Sequence, residues 1–281
     1  MTRSPVRQQI STFLEYLFCV VLTLVILVPL YISVSGGFKS MGQLMSAPLA
    51  LPEPVQAFQY TDLLIGKVGT FWRSLFNSLL VAAGTVSVGL VFCTMAAFAL
   101  ARLKFRGNDL IRGYFVLGLL FPLAVAILPL YLQVRTLGLL DSYWGVILPQ
   151  VAFQVPIIVL LLRGFFLSIP RDLEDACAID GYGPIGFLWN MVIPLSTPIL
   201  ATAGVLILVF SWNNFFLPLL IFNQETKFTL PLGVMNFQGQ HASDWNLIVG
   251  YLSLAMVPAV ILFVAAQRYI VAGLTGGAVK G

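Results

Sequence analysis

Ionisable residues are scarce in this sequence, which limits the chemistry that it can support. Charged residues make up 9% of the 281 residues, and His241 is the single histidine. The three cysteines, Cys19, Cys93 and Cys177, are far apart, so no disulfide framework or paired-thiol site is indicated. Because a metal site or a catalytic triad needs clustered ligating or nucleophilic groups, we predict no catalytic residue and no metal ligand.

One group of carboxylates does stand together, at Asp172, Glu174 and Asp175. Pro170 suits the first turn of a helix and Gly181 suits its C-terminal cap, so the carboxylates fall near the helix start, where the dipole favours negative charge. Beyond them the predicted helix carries mostly small residues, a surface that another protein can approach closely. The alternative to a docking surface for another protein is an ordinary amphipathic connector at the membrane surface.

A second short helix is predicted to begin at Pro184 and to end before Pro194. The two helices would form a cytoplasmic loop held at both ends by apolar segments, so that movement of the loop would move those segments.

The composition predicts that apolar helices position these groups. Hydrophobic residues make up 59% of the chain, and the mean hydropathy is +0.96. Water-soluble domains carry roughly 25% charged residues. A cytosolic enzyme, a nucleic-acid-binding protein and a disordered scaffold are therefore excluded, despite the net charge of +4.

Six segments are long and apolar enough to cross a hydrocarbon core about 30 Å thick. We predict a single all-α integral membrane domain over residues 1–281, with an inner loop at 168–194 and a cytoplasmic tail at 271–281. Prolines inside the segments predict kinks that neighbouring helices tolerate. The predicted spans are 13–35, 75–101, 113–134, 143–167, 197–222 and 246–270.

The distribution of basic residues predicts the orientation, because cytoplasmic loops carry more Lys and Arg. With both termini inside, ten basic residues are cytoplasmic and five are outside. The inner set is Arg3, Arg7, Arg102, Lys104, Arg106, Arg112, Arg163, Arg171, Arg268 and Lys280, and the outer set is Lys39, Lys67, Arg73, Arg135 and Lys227.

Two long segments then lie outside, at 36–78 and 223–246. The second is polar and aromatic, and loops of this length are uncommon without a function. We expect it either to dock a partner or to enter the lumen of the protein, with a plain connector as the alternative.

The residues of the inner loop resemble the EAA loop of ABC-importer permeases, whose pattern is Glu-Ala-Ala-x3-Gly-x9-Ile-x-Leu-Pro. The matching run here is Asp175-Ala176-Cys177-x3-Gly181-x9-Met191-x-Ile193-Pro194. Asp, Cys, Met and Ile replace the usual residues at four positions, and Tyr182 and Gly183 stand where Ala and Ser are usual.

Further motifs are similar to those of the carbohydrate-uptake branch, and in particular to the shorter permease of the maltose transporter. The resemblance covers essentially the whole chain. The motifs are Asn77-Ser78-Leu79, the run from Phe98 to Gly107, Pro129-Leu130-Tyr131, Leu137-Gly138-Leu139-x-Asp141-Ser142, Trp212-Asn213-Asn214-Phe215 and the tail from Gln267.

The resemblance implies a fold, a set of partners and a location. The fold is that of a type I ABC importer permease with six transmembrane helices, in a bacterial or archaeal cytoplasmic membrane. The partners are a second permease in a heterodimer, two copies of a cytoplasmic ABC ATPase, an extracytoplasmic solute-binding protein and a sugar. The sequence has no GxxxxGK[ST] phosphate loop, so no cofactor is expected in this chain, and ATP and Mg²⁺ belong to the ATPase subunits.

The resemblance also implies roles for particular residues. The coupling helix that seats in the ATPase would comprise Arg171, Asp172, Leu173, Glu174, Asp175, Ala176, Cys177, Asp180, Gly181, Tyr182 and Gly183. A tail that reaches the ATPases would contribute Gly273, Leu274, Thr275, Gly277 and Lys280. The loop that engages the binding protein would contribute Asn223, Gln224, Glu225, Lys227 and Gln238.

A sugar needs hydrogen-bonding groups and aromatic faces along its path. Gln150 and Gln154 are four residues apart and share one helix face. The alternative for such residues is hydrogen bonding between membrane helices. The candidates for the path are Gln150, Gln154, Trp212, Asn213 and Asn214.

Other functions fit less well. A secondary transporter usually places ionisable groups within the membrane, and the apolar cores of these six segments contain none. An intramembrane enzyme would need His, Asp or Glu at the same depth. An ABC permease for glycerol phosphate or a polyol stays open, since Arg73 and Arg135 near the outer ends of spans do not decide between these solutes.

Overall fold

The computed structural model describes residues 5–67, 69, 71–238 and 244–276, with side chains left out at 5–10, 266 and 268–276. The chain divides into two compact units. Unit 1 comprises Met1–Trp72 and Val234–Pro258, and unit 2 comprises Arg73–Gly233 and Ala259–Gly281.

Unit 1 contains a long apolar helix and the short helices that follow it. A buried Lys39 lies at its centre, and its ammonium group donates to the main-chain oxygens of Ala47 and Pro48 at 3.3 and 2.6 Å. The amides of Gln59 and Asn246 both donate to the main-chain oxygen of Lys39. The helices are α1 (Pro5–Gly36), α2 (Met41–Ser46), α3 (Phe58–Leu64), the first residues of α4 (Phe71–Arg102), and the start of α13 (Trp245–Gly276).

Unit 2 is built around α7, which packs against α5, α6, α11 and α12. Ile158, Leu162 and Phe166 of α7 are fully buried, as expected for an apolar helix surrounded by others. The remaining helices are α5 (Asn108–Gly118), α6 (Leu123–Thr136), α7 (Tyr143–Ser168), α8 (Arg171–Ile179), α9 (Pro184–Phe187), α10 (Ile193–Leu195), α11 (Thr197–Trp212) and α12 (Phe216–Ile221).

Four described helices are long and apolar enough to span a membrane, and the number rises to six if each of two bent pairs counts as one span. The four are Ser11–Gly36, Phe71–Arg102, Tyr143–Ser168 and Trp245–Ala265.

The third predicted span, 113–134, is not one continuous helix. The segments α5 and α6 meet at a bend of 106°. The amides of Leu119, Leu120 and Phe121 turn back to carbonyls three residues earlier, which closes α5 with a tight turn. Pro122, where a kink is expected, is the extended N-cap of α6 and cannot donate to continue the helix.

The fifth predicted span, 197–222, is also interrupted. Helix α11 ends at Trp212, and the Asn214 side chain accepts from the Leu217 amide at 3.0 Å, which starts α12. Pro218 supplies no amide hydrogen to bridge this break. On its other side, α11 meets the segment Pro184–Leu195 at 81°.

The second loop helix extends past Pro194, where it was expected to stop. It runs from α9 through a π-helical turn at Leu188–Val192 into α10. In a π turn the hydrogen bonds are shifted by one residue, and this shift accommodates a proline that has no amide hydrogen.

Candidate functional site

The coupling loop is built on α8, which follows Pro170 and has Asp172 and Glu174 in its first turn. Gly181 ends the segment with a left-handed φ of +84°, a conformation that glycine adopts at little cost. The Tyr182 amide donates to the Cys177 oxygen at 2.9 Å, which closes the helix end. Helix α8 therefore begins and ends at defined residues.

One face of this loop is exposed and carries both small and apolar groups. Asp175 and Ala176 lie on it, and Ile179 is 87% exposed. Ile185, just beyond the turn, is 73% exposed. Isolated apolar side chains at a surface are normal, but two of them beside small residues and carboxylates suit contact with another protein. The coupling residues that are exposed are Arg171, Asp172, Asp175, Ala176, Asp180, Gly181, Tyr182 and Gly183.

The opposite face packs on unit 2. Cys177 is buried and Leu173 is half-buried. Phe187, in α9, is buried against Phe98 near the end of α4, with ring centroids 6.2 Å apart. Leu173 and Cys177 therefore pack the loop against the rest of unit 2.

Glu174 makes an ion pair within this chain. Its carboxylate lies 3.4 Å from Nη1 of Arg102, the last residue of α4. The acidic side chains of the loop that are exposed are Asp172, Asp175 and Asp180. A Glu174→Lys replacement would place two cations together inside this chain, so it is a poor test of an interface between subunits.

The segment after α12, which was expected to lie outside, is held by Asp141. The Asp141 carboxylate accepts from the Asn223 and Gln224 amides at 2.7 and 3.1 Å, and Lys227 donates to the Asp141 main-chain oxygen. Burial raises the pKa of Asp141, but these hydrogen bonds and the Lys227 charge outweigh it, and the net pKa is lowered. Asn223 and Lys227 thus use their side chains within the chain. The side chains of Gln224 and Glu225 are exposed.

Asn77 makes a second attachment for the same segment. Its Nδ2 atom donates to the main-chain oxygens of Thr226 and Phe228 at 3.0 Å each, and its Oδ1 atom accepts from the Tyr143 hydroxyl at 2.7 Å. The Ser78 hydroxyl accepts from the Leu230 amide at 2.7 Å. The segment is consequently an ordered surface rather than a free connector.

The candidate substrate-path residues separate into different environments. Gln150 is fully buried, and its Oε1 atom accepts from Thr85 at 3.0 Å and from Ser211 at 2.6 Å. Gln154 and Trp212 are also buried. These contacts favour helix-to-helix hydrogen bonding for Gln150, the alternative given for such residues. Asn213 is exposed, and the Asn214 side chain accepts from the Leu217 amide in the first turn of α12.

Several predicted residues cannot be placed. Gly277, Lys280 and His241 lie outside the described residues, and the side chains at Gly273, Leu274 and Thr275 are likewise outside them. Gln238 is described, in unit 1, and is exposed.

Arg102 was expected as an inner basic residue and Asp141 as part of a family motif, but their contacts with Glu174 and with Asn223 were not predicted. The available signals were an aspartate shortly after a Leu-Gly-Leu turn and a single arginine directly at the end of an apolar run. Asp141 has a φ of 55°, which aspartate tolerates better than most residues.

The family described as "Binding-protein-dependent transport system inner membrane component" matches residues 89–276. Among curated relatives, the sulfoquinovosyl glycerol transport system permease protein SmoH of Agrobacterium fabrum is 40% identical over 74% of this chain and 73% of its own length. The arabinooligosaccharides transport system permease protein AraQ of Bacillus subtilis is 32% identical over 94% of both chains.

The fold also matches a solved structure. A chain from the crystal structure of a bacterial ABC transporter involved in the import of the acidic polysaccharide alginate aligns with a TM-score of 0.81. The alignment covers 96% of this chain and 99% of that chain at 23% identity. The expected all-helical permease fold is confirmed.

Proposed function

The chain belongs to the family of binding-protein-dependent transport system inner membrane components, and from this premise we propose how it serves a sugar importer. It is a multi-pass membrane permease and a transport subunit rather than an enzyme. The observation that carries the mechanism is the exposed acidic and apolar face of α8, on a loop that unit 2 anchors by its other face.

We propose that α8 seats in one of two ATPase subunits, with Asp172 and Asp175 facing basic groups of that partner. ATP and Mg²⁺ are bound by the ATPases. A second permease completes the pathway, and the exposed Gln224 and Glu225 face the solute-binding protein. Both termini lie in the cytoplasm, in agreement with the excess of basic residues in the inner loops.

Transport follows alternating access. Closure of the ATPases on ATP displaces α8, and the displacement moves the spans so that the pathway opens outward. Separation of the ATPases after hydrolysis reverses the movement. This mechanism needs an element with two arrangements, and small shifts at packed interfaces produce such transitions.

The substrate is proposed at the level of a sugar, either a mono-, di- or oligosaccharide. The names of the relatives support this class, because SmoH and AraQ are described as transporting sulfoquinovosyl glycerol and arabino-oligosaccharides. Since the buried Gln150 serves helix packing, the second permease contributes most of the direct contacts with the sugar.

Reconstitution of the complete transporter in proteoliposomes tests this function. We expect ATP hydrolysis to rise when the binding protein is added with one of a panel of sugars, comprising arabino-oligosaccharides, sulfoquinovosyl glycerol and alginate pentasaccharide. Glycerol 3-phosphate is the counter-probe. Stimulation by glycerol 3-phosphate and by none of the sugars would overturn the assignment to sugars.

A further inference from the structure

The end of α4 carries a buried cation. The side chain of Arg102 is 4% exposed, whereas that of its partner Glu174 is 37% exposed. Burying a charged group is unfavourable unless it is paired and hydrogen-bonded. The two terminal nitrogens of Arg102 meet this condition through three acceptors on two other elements, while its buried Nε has no hydrogen-bond partner.

The guanidinium connects α4, α7 and α8. Its Nη2 atom donates to the main-chain oxygen of Phe166 at 2.6 Å and to that of Ile169, both at the C-terminal end of α7. Its Nη1 atom faces the Glu174 carboxylate of α8 at 3.4 Å. The guanidinium serves these acceptors from two separate nitrogens, which its planar arrangement of five N–H donors allows.

The same end of α4 has further attachments to its surroundings. The main-chain oxygen of Leu100 accepts from Arg163 Nε of α7 and from Asn108 Nδ2 of α5, both at 3.3 Å. The end of α4 is therefore fixed to α7 and α5. The ion pair with Glu174 is the charged contact that joins this assembly to α8.

We propose that Arg102 is a positioning residue that transmits movement of α8 to the end of α4 through its ion pair with Glu174. The inference rests on the proposed function, in which α8 moves with the ATPase. Force applied to the exposed face of α8 reaches α7 through the short chain at Ile169 and Pro170. The ion pair adds a direct route to α4, which is a span of 32 residues.

The test uses the complete transporter in proteoliposomes with Glu174→Gln, Glu174→Ala, Arg102→Lys, Arg102→Ala and the double alanine variant. The readout is the ratio of sugar-stimulated to basal ATP hydrolysis, together with uptake. We expect Glu174→Gln to lower the ratio by about two- to thirtyfold, the range for residues that carry coupling between sites. The double variant should be no worse than Arg102→Ala alone.

The matched control is the exposed pair Arg112 and Asp109, whose charged atoms lie 3.2 Å apart. Alanine variants of this pair should leave the ratio unchanged. Because Arg102→Ala removes a buried donor and can impair folding, its yield and its copurification with the ATPase are measured. Glu174→Gln leaves the Phe166 and Ile169 contacts of Arg102 in place, so it carries the test if Arg102→Ala does not accumulate.

The outcomes are distinct from those for the proposed function. If the unmodified transporter shows no sugar stimulation, the proposed function fails. If it is stimulated and the Glu174 variants keep the same ratio, the function stands and the role of Arg102 as a transmitter is refuted. Partial recovery in Arg102→Lys relative to Arg102→Ala supports the role, and equal loss in both refutes transmission through the ion pair.

Discussion

The carboxylate of Asp141 accepts hydrogen bonds from both the main-chain and side-chain nitrogens of Asn223, at 2.7 and 3.3 Å, across 82 residues of sequence. This contact joins the turn before α7 to the segment after α12. It makes the outer segment a preformed surface, which lowers the conformational entropy lost when a partner binds.

Replacing the Asp141 carboxylate should loosen that segment. Asp141→Asn keeps a side chain that tolerates positive φ but loses the charge-assisted hydrogen bonds, at a cost of about 1 kcal/mol. We expect amide hydrogen exchange of residues 223–228 to be about fivefold faster. Asp62→Asn, in the exposed ion pair with Lys67, is the control. Unchanged exchange at 223–228 would contradict the anchoring role.

The lowered pKa of Asp141 predicts a defined pH dependence. A depressed folded-state pKa contributes stability above the unfolded value, about 3.9, and that contribution is lost as the pH falls through the folded value. The segment should thus stay ordered near neutral pH and become more mobile only below pH ~4. A nitroxide at position 225 reports this change by its EPR line shape. The same transition in Asp141→Asn would rule out Asp141 as its origin.

Gly145 and Gly164 should respond oppositely to alanine, although both lie in α7. A methyl group at Gly145 would overlap the main-chain oxygen of Leu139, whereas Gly164 faces open space. We expect Gly145→Ala to destabilise unit 2 by about 1–3 kcal/mol because main chain cannot yield as a side-chain end can. Gly164→Ala should be neutral or stabilising by up to ~1 kcal/mol. Thermal unfolding in detergent compares them, and equal effects would disprove the close packing.

The Gln150 hydrogen bonds predict a loss of stability rather than of substrate affinity. Ser211→Ala should cost about 0.6 kcal/mol, the average for hydrogen bonds between membrane helices. Gln150→Leu should cost more because it leaves both hydroxyls without this acceptor. Asn213→Ala, at an exposed position, is the control for thermal unfolding. A higher sugar concentration for half-maximal uptake at unchanged stability would restore Gln150 to the path.

Reversing the exposed charges of α8 tests the docking surface. Asp172→Lys with Asp175→Lys should reduce copurification of the ATPase subunit, because like charges then face each other across the interface. The loss should be greater at low ionic strength. Asp109→Lys, an exposed carboxylate of α5, provides the comparison. Undiminished copurification of the double variant would show that α8 does not use these charges.

The sequence was sufficient for features that depend on composition and local pattern. Apolar length predicted where the long helices are, and Pro170 with Gly181 predicted α8 to within a few residues. The chain bends at Pro122, one of the prolines where kinks were expected. The size of this bend, 106°, was not predictable, because it depends on how α5 and α6 pack against α7.

Roles that depend on distant contacts were missed for the same reason. Glu174 looks like Asp172 and Asp175 in sequence, yet its carboxylate pairs with Arg102, 72 residues earlier. Gln150 and Gln154 share a helix face, but only the packed helices show that the Oε1 atom of Gln150 already accepts from Thr85 and Ser211.

The apolar helix at the start of unit 1 has a consequence for biogenesis. The most apolar stretch of α1, within Ser11–Gly36, has none of its side chains buried by the rest of the chain. Its backbone hydrogen bonds are satisfied within the helix, so it can enter the bilayer before later segments are synthesised. When a protein later replaces the lipids around α1, the helix does not have to unfold.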